Sequence, residues 1–91
     1  MARYRILSWR GIPAQVKVFP DERPPFSAAL SDRFQQEIDR VAMRDGLAGS
    51  DDYLAQWEWS EDLERRGSPE DVLAAVIEEL EASFESIRGN G

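Results

Sequence analysis

Apolar and polar residues alternate strictly along "AQVKVF", with Ala14, Val16 and Val18 on one side of an extended chain and Gln15 and Lys17 on the other. The run before it, "RYRILSW", is rich in aromatic and branched residues, and Gly11 and Pro13 punctuate the "RGIPAQ" between them. Period two, bounded by turn formers, predicts a β-hairpin with one buried face. Residues 20–25, "PDERPP", hold three of the five prolines and read as a loop or crossover, because proline has no N–H to give to further pairing. "FSAALS" after it reads as a short extended edge strand.

From Ser31 the period becomes helical. Phe34, Ile38, Val41 and Ala42 fall at i, i+4, i+7 and i+8, one stripe of a helix. Ser31 suits the N-cap and Gly46 the position just past the end. "GLAGSDD" then reads as a loop. In "YLAQWEWSED" the period returns to two: Tyr53, Ala55, Trp57, Trp59 and Leu63 are odd, while Gln56, Glu58, Ser60, Asp62 and Glu64 are even. The same residues would scatter around a helix, so the pattern predicts a strand over roughly residues 54–65 with both tryptophans on one face. "GSPED" opens a last helix, with Ser68 as cap, Pro69 in the first turn and Asp71 at the acidic position of a capping box. Its stripe runs Val72, Val76, Leu80, Phe84 and Ile87, widened by Leu73 and Ile77, and Gly89 is its expected stop.

The order is therefore ββαβα with one further short strand possible. It implies an α+β fold, a small antiparallel β-sheet with two helices packed on one face. Ninety-one residues leave room for a single domain spanning 1–91 and no second core. With 42% hydrophobic residues and nine aromatics, the chain has enough apolar surface to fold.

Charge divides the chain unevenly. The net charge is -7, yet residues 1–50 hold eight basic against six acidic residues, and residues 51–91 three basic against twelve acidic. An acidic surface repels phosphate backbones and anionic headgroups, so the expectation is no nucleic acid and no membrane, with a protein partner favoured. Arginines interrupt the apolar runs of "MARYRILSWRG", and no apolar stretch approaches the ~20 residues that span a bilayer. The expected location is cytoplasmic. With no cysteine and no histidine, disulfides, thiolate nucleophiles, sulfur or imidazole zinc sites and histidine general bases are excluded.

The remaining chemistry is sparse. The acids Asp51, Asp52, Glu58, Glu61, Asp62 and Glu64 fit a solvated face; "DGLAGSDDYLAQ" has the first acid of a calcium loop but not the third or fifth ligand. "GLAG" mimics a backbone-clamping GxxG loop, but two acids follow it. Arg33, Arg40 and Arg44 fall near one helical face with Glu37 between them, an ordinary exposed face or a contact for an acidic partner. No nucleotide-binding glycine motif is present. Four residues stand out for interaction. Trp57 and Trp59 are either core or, for one of them, a sheet-edge anchor for a partner. Trp9 and Arg10 in "WRGIP" are either part of a hairpin turn or an exposed recognition tip that stacks and binds carboxylates.

The segments "WRGIPAQVKV", "RFQQEIDRVAM", "GLAGSDDYLAQWEW" and "RRGSPEDVLAAVIEEL" resemble the small bacterial "virulence factor" domain family. They are also similar to a segment towards the C-terminus of the longer conserved virulence factor C proteins. The resemblance covers most of the chain but implies no catalytic residues. It implies genes that accompany corrinoid- and tetrahydrofolate-dependent methyl transfer, hence an accessory role beside such enzymes.

The leading expectation is a non-catalytic protein-interaction module with no cofactor and no metal. The alternatives are an auxiliary subunit of a methyl-transfer system and a self-associating structural domain such as a homodimer. No nucleophile and base arrangement speaks for an enzyme.

Overall fold

The structure, a computed structural model, describes the backbone of residues 1–90 and the side chains of residues 1–87. Strands β1 (Ala2–Trp9), β2 (Ile12–Phe19) and β3 (Phe26–Ala29) precede helices α1 (Asp32–Arg44) and α2 (Asp51–Ala55). Strands β4 (Trp57–Trp59) and β5 (Leu63–Arg65) and helices α3 (Pro69–Ala82) and α4 (Phe84–Asn90) follow. All pairings are antiparallel, in the order β3-β2-β1, and both β4 and β5 pair along the remaining edge of β1. The fold is α+β, as the periodicities implied.

The hairpin turn is two residues long. Arg10 and Gly11 both have positive φ, at 48° and 85°, the geometry whose twist matches that of flanking strands and which usually selects Asn-Gly. Helix α1 ends as expected: Gly46 sits past the C-cap at φ 71°, and Leu47 N–H returns to the Ala42 carbonyl at 2.7 Å. Ser31 occupies the N-cap, but its side chain caps nothing. Its N–H and hydroxyl instead donate to Glu81 of α3, at 2.6 and 2.7 Å. Ser68 does cap, accepting from Asp71 N–H at 3.1 Å.

Two clusters make the core. Val16, Val18 and Ala2 meet Val72 and Val76 of α3, with Tyr4 and Ile6 packed beside them. Trp9 and Ile12 meet Phe34, Ile38, Val41 and Ala42 of α1 and Phe84 of α4. The clusters join along α3, where Ile77 and Leu80 touch both.

Three expectations need correction. The predicted strand over 54–65 begins as helix, because Ser50 accepts from Tyr53 N–H and two acids suit the first turn of α2. The rest of it is split. Trp59 lies opposite Leu7 but Leu63 opposite Tyr4, so the register slips by one residue across Ser60–Asp62 and Leu63 turns to the face opposite Trp59. The odd positions therefore do not share one side. The last helix breaks at Ser83, whose hydroxyl donates to the Leu80 carbonyl at 2.7 Å, and α4 continues through Gly89 to Asn90.

Candidate interaction face

In β1, Ala2, Tyr4 and Ile6 point at the helices, and their direct partners Val16 and Val18 do the same. Arg3, Arg5 and Leu7 therefore point the other way, opposite Phe19, Lys17 and Gln15. Trp59 joins this face through Leu7, and Glu64 through Arg3. None of these side chains is buried. Strict alternation would place Trp9 here too. Trp9 and its β4 partner Trp57 are nevertheless packed in the α1 cluster, so helices close the hairpin end of the sheet and leave Arg3, Arg5, Leu7, Lys17 and Phe19 only partly covered. The extra residue of the β1–β2 irregularity lies on β2, at Ala14.

Cations and rings are interleaved on the uncovered face. The Lys17 ammonium lies 5.7 Å from the Phe19 ring centre and 6.0 Å from the Trp59 ring. The guanidinium groups of Arg3 and Arg5 lie 5.7 and 6.0 Å from the Phe19 centre, within the reach of cation–π attraction. Arg5 Nε donates to Asp62 at 2.6 Å, and Arg3 lies 3.7 Å from the same carboxylate. The Arg5 hydrogen bond and charge hold the Asp62 carboxyl below the usual aspartate range. Lys17 has no carboxylate within ion-pair distance among the described residues.

The four residues singled out from the sequence separate. Trp9 has no exposed surface; its indole N–H donates to the Tyr53 carbonyl at 2.8 Å. It is core and cannot stack on a partner, which corrects the recognition-tip reading for this residue. Arg10 is exposed, but its guanidinium donates to Asp45 at 2.6 Å and ties the hairpin tip to the end of α1. Hydrogen bonds from Arg44 and Arg10 hold the Asp45 carboxyl below its usual range. Trp57 is half-buried against the α1 cluster, its ring edge-on to Tyr53 at 6.2 Å. Trp59, 39% exposed, is on the surface. It also borders a depression of about 540 Å³ at the β1–β4–β5 edge, which is lined by Ile6, Ser8, Glu58, Ser60 and Leu63 and opens on the other side of the sheet.

Lys17, Phe19, Arg3 and Arg5 escaped notice as a site. Their alternation with Tyr4, Ile6, Val16 and Val18 was the available signal, but only the strand register shows that they share a face with Trp59. Among the described residues no acidic group is arranged to hold a metal ion, and no helix is long and apolar enough to cross a membrane.

A five-stranded antiparallel sheet with four helices, one face of which interleaves rings and cations, makes this a small α+β domain. Residues 7–88 match the sequence model of the family described as "Virulence factor", and the chain belongs to that family. No curated protein and no solved structure matches it.

Proposed function

We propose that the chain is a non-catalytic protein-interaction module that engages its partner through the uncovered sheet face, with Trp59 as the anchor. The observation that carries this reading is Trp59 itself. It is a 39%-exposed indole placed opposite Leu7 and beside Lys17, on a face where Arg3, Arg5, Leu7, Lys17 and Phe19 are not buried. Partly buried tryptophans ringed by polar groups are frequent energetic centres of protein interfaces.

The test is affinity capture from native cells with the full chain, comparing wild type with Trp59→Ala and Trp57→Ala. One specific protein should be recovered by wild type and lost with Trp59→Ala. Equal recovery by wild type and Trp59→Ala, or nothing specific from either, removes the proposal. Recovery of a methyl-transfer enzyme would make the module an auxiliary subunit of such a system.

A further inference from the structure

We propose that the uncovered face is built for a protein segment that carries isolated carboxylates between apolar side chains. This rests on the reading of that face as a protein-binding surface and adds the chemistry of the partner. Arg3, Arg5 and Lys17 are three cations set among Leu7, Phe19 and Trp59, and Asp62 serves two of them while Lys17 has no carboxylate. The side chains of Arg3, Arg5 and Asp62 are each more than 40% exposed, so their pairing costs little to exchange for a partner's carboxylate.

Elsewhere several surface acids are paired with arginines. Glu70 pairs with Arg23, Glu79 with Arg65 and Glu81 with Arg33. In a chain of net charge -7, this face still gathers three cations, of which Arg3 and Arg5 share Asp62 and Lys17 has no carboxylate within ion-pair distance among the described residues. Spacing decides between acidic partners. A nucleic acid presents a phosphate at every nucleotide, and Glu58, Glu61, Asp62 and Glu64 along the β4–β5 border would repel such a continuous polyanion. Carboxylates separated by leucine-like side chains match cations separated by rings.

The experiment titrates the full-length chain, by tryptophan fluorescence and by two-dimensional NMR, with three capped peptides. Each has the same leucine spacing, with glutamate, glutamine or lysine at the alternate positions; a single-stranded oligothymidylate is the fourth probe. The glutamate peptide should bind saturably, at least about tenfold tighter than the glutamine peptide, and should weaken as salt rises. The lysine peptide should not bind. Perturbed amides should lie in β1, β2 and β4. Lys17→Glu should weaken binding by about tenfold and Lys17→Gln by less, with the far-ultraviolet circular dichroism of both unchanged.

Equal binding of glutamate and glutamine peptides overturns the charge chemistry, as does tighter binding of the oligothymidylate. Saturation by none of the peptides, perturbation confined to the helices, or dimerisation abolished by Lys17→Glu also overturns it. The broader proposal fails separately: if Trp59→Ala still loses the captured protein while the glutamate peptide does not bind, only the partner chemistry was wrong.

Discussion

The Trp9 indole N–H donates to the Tyr53 carbonyl at 2.8 Å, and the two rings lie 5.5 Å apart. This bond ties the end of β1 to the short helix α2 and gives a buried donor its partner. Trp9→Phe should destabilise by about 1–3 kcal/mol, since it removes the donor and part of the packed volume. Trp9→Ala should cost about 3–5 kcal/mol, a large share of the ~5–15 kcal/mol typical of a domain. Trp59→Ala should cost under about 1 kcal/mol. Urea denaturation of the three variants checks the order; a loss at Trp59 equal to that at Trp9 would contradict the assignment of core and surface.

Acrylamide quenching reads the same assignment without mutation of the core. Trp9 has no exposed surface and Trp59 has 39%. In Trp59→Phe the quenchable fraction of fluorescence should fall, and the remaining emission should shift to shorter wavelength. An unchanged fraction would place the exposed indole elsewhere.

The hairpin tip holds an arginine at φ 48°, where a side chain with Cβ is strained by roughly 1–2 kcal/mol. Arg10→Ala keeps that strain and loses the bond to Asp45, whereas Arg10→Gly loses the bond and relieves the strain. The glycine variant should be the more stable of the two, by about 1 kcal/mol after the entropy of an added glycine is allowed for. At Gly11, φ 85°, an added Cβ would meet nothing within 4 Å. Gly11→Ala should therefore cost only the torsion, about 1–2 kcal/mol; thermal melting of the three variants tests both statements.

Glu81 accepts from Ser31 N–H, Ser31 Oγ and Arg33. Burial works to raise its pKa, but these hydrogen bonds outweigh burial and hold it below the usual range. Glu81→Ala should cost about 1 kcal/mol, the usual worth of a helix cap. Faster amide exchange should be confined to the first turn of α1. Uniform acceleration across the sheet would mean that the contact supports the whole fold.

Acid should weaken the protein, and neutral pH should not matter. The carboxyls of Asp62, Asp45, Glu70 and Glu79 are held low by hydrogen bonds from Arg5, from Arg44 and Arg10, from Arg23 and from Arg65 respectively. A carboxyl with a depressed folded pKa contributes stability that is present above its unfolded value, near pH 4, and is lost as pH falls through the folded value. With no histidine in the chain, the melting temperature should be flat between pH 8 and about 5 and fall below about 4. A step between pH 6 and 7, or a rise on acidification, would contradict this. Each pair is exposed, so the effect should be modest and screened by salt.

The elements with a clear period were legible in the sequence. "AQVKVF" was a half-buried strand, Phe34 to Ala42 an amphipathic stripe, and "GSPED" a helix start. "YLAQWEWSED" misled because its alternation was real over only three residues. Its first three, Tyr53 to Ala55, belong to a helix capped by Ser50, and a one-residue slip reverses the sense of Leu63. Trp9 was left open between turn and recognition tip, because what buries it, α1 and Tyr53, lies far from it in the sequence. Trp59, named as a candidate, is the residue at the surface. Its neighbours Lys17 and Phe19 belong to another strand, and pairing register is a long-range property that local pattern does not encode.

The partner strand of β1 is divided, three residues in β4 and three in β5, and between them Ser60 bonds Ile6 through its N–H and its hydroxyl. At the opposite border β3 has four residues and follows directly on Pro24 and Pro25. Neither border offers a long, flat row of free N–H and C=O groups for another chain to extend. Short, interrupted borders of this kind are poor templates for ribbon-like growth and fibril formation.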